Sequence, residues 1–352
     1  MKVVAFLPVK GTSNRVKSKN LKFLAGKPLF LHTLEKLIGC EIIHEVYLDS
    51  ESDDVFQIAR DYGLDFKEMR RDLQYANNQT DGHVLFCNET KNVDADIYIQ
   101  ILATSPFITK ETIEKGIEIL LNDDQFDSVV LVRKSKMYTW IDGKPSYNTE
   151  KIPNSDELAD TIEETMGLYI TRKTVPNKNK KRYGDKVFLL EASAIESIDI
   201  NYMDDFLLAN TVSMGLQSIE RTKFKYLSRY LSSALLSDIL DDFNLKSVIS
   251  SYKLNLKNKK VLGRAKTLKL RKLNNQEDYH GIYNALDSYE SITSNDIIIV
   301  QNEMMNNAYF GDLNANLALK KGAIAAIIGG ATRDNHSVKE LGFPVFSKSL
   351  NP

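Results

Sequence analysis

The sequence predicts an α/β protein in which buried strands alternate with helices. Two observations support this fold class. Predicted strands such as 3–8 and 97–102 are short and almost continuously apolar, as in a parallel sheet that is covered on both faces. Between them, segments such as 28–38 and 110–121 carry apolar residues at helical spacing. We therefore expect a parallel sheet with helices on both faces and a ligand site outside the carboxyl ends of its strands.

The rest of the first half keeps this alternation. Further strands are predicted at 45–49, 128–132 and 167–171, and further helices at 52–62 and 81–89. An aromatic stretch at 136–146, with Asp-Gly and Lys-Pro pairs, predicts an inserted hairpin. This hairpin is either a plain surface excursion or an arm that faces a sugar or a second copy of the chain. The basic stretch 178–186 predicts a solvated loop.

Length and composition limit the possible partners. The 352 residues, 43% of them hydrophobic, provide enough apolar material for two cores. The formal net charge of −1 argues against a general basic field, so we expect no nucleic acid partner. No segment approaches the run of about 20 apolar residues that a membrane span needs, so we expect no membrane partner. Cys40 and Cys87 lack metal-ligand spacing, which predicts reduced, buried thiols and a cytoplasmic protein.

The segment that follows the first predicted strand is a candidate anion site. Gly11, Thr12 and Ser13 can turn the backbone so that successive N–H groups point inward and form a nest for an anion. Cationic side chains surround this turn, at Lys10, Arg15, Lys17 and Lys19. From these residues alone, a phosphate-binding loop and a solvated basic turn are about equally supported.

The order of residues in this segment resembles a known family. The run 7–13 (LPVKGTS), followed by 19–20 (KN) and 26–29 (GKPL), is similar to the amino-terminal signature of the sugar-acid cytidylyltransferases of the N-acylneuraminate type. Lys10 stands where the family has arginine, Thr12 where it has a second glycine, and Asn14 where it has its first lysine. The resemblance continues through several shorter motifs to about residue 215.

The resemblance implies a Rossmann-like nucleotide-diphospho-sugar transferase domain over residues 1–215. Enzymes of this type transfer CMP from CTP to a 2-keto-3-deoxy sugar acid, here of the nonulosonic acid class, and release pyrophosphate with the help of Mg²⁺. The catalytic cations that it implies are Lys10 and Lys19. The nucleotide-binding residues that it implies are Gly11, Thr12, Ser13, Arg15, Asn20 and Arg71, with Arg70 as the alternative to Arg71 in a neighbouring register. The sugar-binding residues that it implies are Gln100 and Tyr169.

Residues 197–209 (SIDINYMDDFLLA) add a candidate metal site. We expect a short strand that ends at Asp199, followed by a helix that opens at Asp204 and Asp205. Capping of the helix explains Asp204 and Asp205 fully, whereas Asp199 precedes the cap and needs another reason. The segment resembles the family motif that binds the catalytic magnesium, which implies Asp199, also a catalytic residue, and Asn201 as its ligands.

Residues 226–352 predict a second α/β domain, with 216–225 as the boundary segment. The elements expected here are a helix at 226–242, strands at 261–271, 296–300 and 323–328, a helix at 308–320 and a loop at 329–334. This half resembles the RraA-like proteins, whose enzymatic members are metal-dependent pyruvate aldolases and oxaloacetate decarboxylases. The segments that carry the resemblance are 233–238 (SALLSD), 263–265 (GRA), 308–313 (AYFGDL), 330–334 (GATRD) and 341–346 (LGFPVF). The resemblance implies a swivelling α/β fold. In this family we would expect a further strand and helix after Pro352, so we expect the fold to be partial here.

Three residues of the second half are candidates for a site. Arg333 suits a substrate carboxylate, and Asp334 suits a divalent cation that withdraws charge from an enolate. Backbone amides near Gly311 suit the same carboxylate. A surface ion pair between Arg333 and Asp334 explains these two residues equally well.

Three functional hypotheses follow from the sequence. The preferred one is cytidylyl transfer to a sugar acid for cell-surface glycan synthesis. A second is a degenerate nucleotide-sugar-binding scaffold, and a third is a bifunctional protein whose RraA-like half performs metal-dependent aldol or decarboxylase chemistry. The expected partners are small molecules and, since both families usually associate, further copies of the chain.

Overall fold

The chain forms two compact units, Met1–Asn210 and Thr211–Pro352, each built around its own sheet. The structure is a computed structural model that describes residues 1–13, 16–77, 79–245, 248–273, 286 and 288–350. Both units are of the α/β class, as the sequence predicts.

Strands and helices alternate through most of the first unit, as predicted. Its strands are β1 Val3–Pro8, β2 Phe23–Leu24, β3 Lys27–Pro28, β4 Glu45–Ser50, β5 Lys67–Arg70, β6 Ile97–Ile101, β7 Ser128–Ser135, β8 Trp140–Ile141, β9 Lys144–Pro145, β10 Thr161–Arg172 and β11 Val187–Glu191. Its helices are α1 Leu29–Ile38, α2 Asp53–Asp61, α3 Gly82–Lys91, α4 Lys110–Asn122 and α5 Thr174–Lys178, and α6 Met203–Leu227 begins in it. The predicted hairpin within 136–146 is present as the pair β8–β9.

The main sheet has the strand order β11-β7-β10-β6-β1-β4-β5. The prediction of a wholly parallel sheet is wrong at one strand, since β10 runs antiparallel to both β6 and β7. The chain returns from β7 to β10 through the segment that contains the β8–β9 hairpin. This connection contains a 3₁₀ helix at Ser155–Glu157 but no α-helix, which is the usual crossover between parallel neighbours.

Helices cover both faces of this sheet, as the apolar strands predict. In β1, Val3, Ala5 and Leu7 pack into one core with residues of α1, α2 and α4. Val4 and Phe6 point to the other face, where they pack with Phe86 of α3. Because both faces are buried, the alternation of side chains along β1 leaves no polar side and the strand is apolar throughout.

The end of the first unit differs from the prediction. Residues 197–199, predicted as a strand, form turns and irregular structure, and the next residue, Ile200, donates its N–H to Thr104 O at 2.9 Å. Asp205 Oδ2 accepts hydrogen bonds from the N–H groups of Asn201 and Tyr202, so this carboxylate caps α6 as expected. The predicted boundary segment 216–225 lies inside α6, and the domain boundary stays a prediction.

A second sheet, with the order β12-β16-β15-β14-β13, forms the centre of the second unit. Its strands are β12 Lys253–Leu254, β13 Arg264–Leu270, β14 Asp296–Asn302, β15 Ala325–Thr332 and β16 Val345–Leu350, and its helices are α7 Ser233–Asp242, α8 Asp312–Lys321 and α9 Asn335–Glu340. Strands β13 to β16 are parallel, and β12 joins β16 in the antiparallel direction. None of the helices in the described parts of the chain has the length and apolar character needed to cross a bilayer.

Two predictions for the second unit are wrong in detail. The helix expected at 226–242 is two helices, because α6 ends at Leu227 and the Ser232 side chain accepts a hydrogen bond from Leu235 N, which caps α7. The loop expected at 329–334 is mostly strand, because β15 continues to Thr332. Gly329 allows this close pairing, since a Cβ there would lie 2.8 Å from Val300 O.

Candidate functional site

A cavity of about 220 Å³ lies at the carboxyl ends of β1 and β6, where the sequence predicts a ligand site. Pro8 ends β1, and β6 leads directly into Leu102. The lining residues are Pro8, Lys10, Thr12, Ser13, Lys19, Asn20, Arg71, Leu85, Leu102, Ala103 and Thr104. The structure therefore brings six of the residues implied for CTP binding or catalysis to one cavity.

Gly11 is placed differently from the prediction of an open anion nest. Its N–H donates to Glu51 Oε1 at 2.9 Å, so a carboxylate of the chain occupies this donor. A Cβ at position 11 would lie 2.4 Å from the Cβ of Ser52, and only glycine fits this close approach. Two residues of this loop lie outside the described residues. They are Asn14, which replaces a lysine of the family signature, and Arg15, which we predict to contact the nucleotide.

Two lysines and an asparagine define the basic side of the cavity. Lys19 is only 7% exposed, and its Nζ donates to Ile200 O, which ties the wall to the segment 199–201. Asn20 Nδ2 donates to Lys10 O at 2.9 Å and thereby holds the loop after β1. Lys10 Nζ donates to Asn77 O at 2.6 Å. Lys10 and Lys19 thus each bind a backbone carbonyl that is more than 60 residues away in the chain.

The implied metal ligands, Asp199 and Asn201, are adjacent. Asn201 Nδ2 donates to Asp199 Oδ2, and Asp199 Oδ1 is buried without a hydrogen-bond partner among the described residues. In that part of the chain, no group of three or more His, Cys, Asp and Glu side chains is placed to hold a metal. Mg²⁺ commonly takes one or two protein carboxylates and completes its shell with waters and substrate phosphates. The pair therefore fits a magnesium site that the substrate completes.

Arg71 lies on the cavity wall and is paired with a buried carboxylate. Its side chain is 1% exposed and that of Asp49 is 2% exposed. Arg71 Nη2 donates to Asp49 Oδ2 at 2.8 Å and to Asp49 O at 3.0 Å, and Nε donates to both carboxylate oxygens at 3.2 and 3.1 Å. This two-pronged contact fixes the plane of the guanidinium.

Gln100 and Tyr169 do not reach the cavity. Gln100 is fully buried and its Nε2 donates to the carboxylate of Glu89. Tyr169 is 1% exposed, and its hydroxyl donates to the carboxylate of Glu164. Burial, with Glu164 as a second cause, raises the pKa of the Tyr169 hydroxyl. Neither residue is among those that line the cavity, and their implied contacts with a sugar stay a prediction.

The candidates of the second unit come together at the start of α8. A Cβ on Gly311 would lie 2.3 Å from Asp334 Oδ2, so a larger residue here would displace that carboxylate. Asp334 Oδ2 lies 3.5 Å from Arg333 Nε. This contact is the surface ion pair that the sequence offers as the alternative to a substrate site. The side chains of Arg333 and Asp334 are 59% and 39% exposed. This cluster is therefore open to solvent.

Residues 4–224, well over half of the chain, match the cytidylyltransferase family. The chain belongs to this family. Residues 233–352 match the Aldolase/RraA family, so this cytidylyltransferase carries an RraA-like domain in its carboxyl-terminal part.

Its similarity to individual proteins is distant. A 3-deoxy-manno-octulosonate cytidylyltransferase of Flavobacterium johnsoniae is 22% identical over 235 residues, which are 66% of this chain and 86% of the relative. A CMP-N,N'-diacetyllegionaminic acid synthase of Legionella pneumophila is 28% identical over 34% of this chain and 53% of the relative. The solved structure of a CMP:2-keto-3-deoxy-manno-octonic acid synthetase complexed with CTP matches with a TM-score of 0.46 and 16% identity, over 60% of this chain and 98% of that one.

Sequence reasoning missed three acidic residues that lie behind the cavity wall of this cytidylyltransferase and bind its residues or one another's partners. Asp49 and Glu51 follow the apolar part of β4, and Glu89 lies three residues after the buried Phe86 on the inner side of α3. The available signal was an acidic residue at a position that periodicity assigns to the core. Such residues are seldom buried without a partner, so each of them calls for a cation or a proton nearby.

Proposed function

We propose that the first unit transfers CMP from CTP to a 2-keto-3-deoxy sugar acid of the nonulosonic acid class and releases pyrophosphate. The observation that carries this proposal is the convergence of Lys10, Lys19, Asn20 and Arg71 on one cavity. Lysine and arginine are the usual side chains for binding phosphate groups. In a cytidylyltransferase, a cavity with three cations suits the triphosphate of CTP, and the named relatives support a sugar acid as the acceptor.

The proposed reaction needs positioning and charge neutralisation rather than a covalent intermediate with the protein. The anomeric hydroxyl oxygen of the sugar acid attacks the α-phosphorus of CTP and gives its proton to water. Pyrophosphate leaves as the bond between the α-phosphorus and the oxygen bridging to the β-phosphorus breaks. We assign to Lys10 and Lys19 the stabilisation of the negative charge that develops on the phosphates. Thr12 and Ser13 offer hydroxyl donors to the same phosphates, and Arg71 binds the nucleotide.

Mg²⁺ is the cofactor in this proposal. Asp199 and Asn201 would hold it, and the bound ion would withdraw charge from the phosphate and lower the pKa of the sugar hydroxyl. Lys19 supports this site from the cavity side, because its Nζ binds the carbonyl between the two ligands. Asn201 supplies an oxygen but no negative charge, so we expect weaker binding of Mg²⁺ than two carboxylates provide.

The setting of the reaction is also part of the proposal. We place it in the cytoplasm, because Cys40 and Cys87 are both free thiols. We expect copies of the chain to associate, and the β8–β9 hairpin is a candidate contact, since Trp140 and Ile141 on it are 65% and 64% exposed. Light scattering of the purified chain tests this expectation, and a single-chain mass would contradict it.

The decisive test is release of pyrophosphate from CTP in the presence of Mg²⁺ and a panel of acceptors. The panel should contain nonulosonic acids and 3-deoxy-manno-octulosonate, with UTP, ATP and GTP as control nucleotides. We expect pyrophosphate release only when CTP is the nucleotide and at least one nonulosonic acid is the acceptor. Release with the eight-carbon acid alone would correct the substrate class, and tight binding of CTP without release from any acceptor would favour the scaffold hypothesis.

A second candidate function belongs to the RraA-like domain. Gly311, Arg333 and Asp334 meet in space although 22 residues separate Gly311 from Arg333, and this supports a site for a 2-keto acid and a divalent cation. The test is decarboxylation of oxaloacetate by the full chain with Mg²⁺, compared with the Arg333→Ala variant. An equal rate in both proteins would leave Arg333 and Asp334 as a surface ion pair.

A further inference from the structure

A row of buried polar side chains leads from the cavity wall into the core of the first unit. Arg71 lies on the wall, and Asp49 at the end of β4 holds its guanidinium. Glu89 of α3 is fully buried next to Asp49, and Gln100 of β6 donates from Nε2 to Glu89. These four side chains come from four different segments of the sheet and its covering helix.

We propose that Asp49 and Glu89 share one proton and act as positioning residues that hold Arg71 at the cavity wall for CTP. This inference rests on the proposed function, because it assigns Arg71 to the nucleotide. Neither Asp49 nor Glu89 lines the cavity, so both act through Arg71.

The charges of the row require a proton. Asp49 and Glu89 are two carboxyl groups in a site closed to solvent, and Arg71 is the cation described beside them. A buried charge without a counter-charge is strongly unfavourable, so one of the two acids is neutral. The cationic Arg71 guanidinium donates hydrogen bonds to the Asp49 carboxylate, whereas Glu89 accepts from the neutral amide of Gln100. The proton therefore resides on Glu89.

The surroundings of Glu89 agree with this assignment. Burial, followed by the charge of Asp49, raises the pKa of Glu89 well above its usual value. Glu89 Oε1 is buried without a hydrogen-bond partner among the described residues, so this oxygen has room for a proton. The groups that face it are Asp49 from β4, Arg71 from the segment after β5 and the neutral Gln100 from β6. A protonated Glu89 can donate its O–H to the Asp49 carboxylate, while its other oxygen accepts from Gln100.

This row also reaches the loop that lines the cavity. The carbonyl of Asp49 accepts hydrogen bonds from both Arg71 Nη2 and Val9 N, at 3.0 and 2.8 Å. The pairing therefore fixes Arg71 relative to the first residues after β1, which carry Lys10 and Thr12. A guanidinium held in advance loses little conformational freedom when the nucleotide binds. We expect the row to affect the binding of CTP more than the turnover of bound substrate.

The kinetic test compares KM for CTP and kcat among four variants. Asp49→Asn and Glu89→Ala should each raise KM at least about tenfold and change kcat less than about threefold. Glu89→Gln keeps a neutral N–H donor in place of the carboxyl O–H, so it should restore KM to within about threefold of the wild-type value. Glu45→Gln, at the far end of β4 in a surface pair with Lys2 and Lys67, is the matched control.

The second test needs no nucleotide. Because folding raises the pKa of Glu89, its contribution to stability is complete below the unfolded pKa and is lost as the pH rises towards the native pKa. The unfolding constant of the wild-type protein should therefore rise between about pH 5 and pH 8, relative to that of Glu89→Gln, by up to about tenfold per pH unit. Parallel curves for the two proteins would overturn the shared proton.

The two tests separate the failure of this inference from the failure of the proposed function. If the wild-type protein transfers CMP and Glu89→Gln raises KM as much as Glu89→Ala, the positioning role is wrong and the function stands. If the wild-type protein shows no transfer and no CTP binding, the function is wrong, and the stability curves still decide the shared proton. If Asp49→Asn fails to fold, the comparison of Glu89→Ala with Glu89→Gln and the stability curves still test the inference.

Discussion

The cavity of the first unit and the cluster around Gly311 in the second unit are organised in opposite ways. At the cavity, Lys19 and Arg71 are almost fully buried and are held by backbone carbonyls or a carboxylate. At the second cluster, Arg333 and Asp334 are largely exposed and are described as contacting one another. Buried cations have fixed positions before a ligand arrives, whereas exposed ones must be ordered by the ligand. The comparison indicates that the first unit is the better prepared site.

The largest effect is expected for Lys19→Ala. It removes a buried cation from the cavity wall and also the hydrogen bond to Ile200 O that holds the segment 199–201. We expect kcat/KM for CMP transfer to fall at least about a hundredfold, because charge stabilisation in a closed site is worth several kcal/mol. Lys17→Ala, an exposed lysine of the same loop, is the matched control and should stay within about twofold. Equal losses in both variants would show that burial of Lys19 does not matter.

A smaller effect is expected at the metal ligands. Asp199→Ala should lower kcat/KM at least about tenfold at saturating Mg²⁺, because the remaining Asn201 brings no charge. Asn201→Asp should have the opposite effect and lower the Mg²⁺ concentration needed for half-maximal rate. Titration of the initial rate with Mg²⁺ measures both changes. An unchanged Mg²⁺ dependence in both variants would remove these residues from the metal site.

The loop after β1 should respond through packing. Gly11→Ala introduces a Cβ 2.4 Å from the Cβ of Ser52, which forces the loop away from β4. Such overpacking costs about 1–3 kcal/mol, and we expect KM for CTP to rise about five- to tenfold. Adding Ser52→Gly removes the clashing atoms and should restore most of the binding. A double variant as poor as Gly11→Ala would show that the clash with Ser52 is not the cause of the lost binding.

A weaker effect is expected at Glu196, which anchors the chain just before Asp199. Burial alone would raise the pKa of Glu196, but hydrogen bonds from Thr112, Thr109 and Ser193 outweigh it and hold the pKa at about 2. Because folding lowers this pKa, the stabilisation is present above the unfolded value and is lost as the pH falls from about 4.5 towards 2. Glu196→Gln should unfold with a flatter pH dependence in that range and should lower stability at pH 7 by about 1–3 kcal/mol. Equilibrium unfolding in urea measures both, and an unchanged acid limb would contradict the assignment.

The smallest effect on CMP transfer is expected for Arg333→Ala. This exposed side chain belongs to the second cluster, so transfer should stay within about twofold while decarboxylation of oxaloacetate is lost. A large loss of transfer would contradict the separation of the two sites on which the comparison depends. Lys339→Ala, on the neighbouring helix α9, is a suitable control for a lost surface charge.

Features that depend on local sequence could be predicted, whereas features that depend on contacts made by the fold could not. The alternation of apolar strands and amphipathic helices is local, so most elements were found from periodicity. The direction of β10 was not, because an apolar strand looks the same in either direction. The cluster around Gly311 was found because short motifs carry its residues. Asp49 and Glu89 were missed because their charge acquires a meaning only when Arg71 and Gln100 are brought beside them by the fold.

Helix α6 affects how the protein can be taken apart in the laboratory. Phe206 and Ala209 near its start belong to a core of the first unit, while Glu220 near its end pairs with Arg264 of the second unit. A shortened gene that stops at residue 215 would cut this helix midway and leave new unpaired carbonyl groups at the cut. A cut within 228–232, between α6 and α7, keeps both helices whole, so it is the better place to divide the chain for separate expression of its two halves.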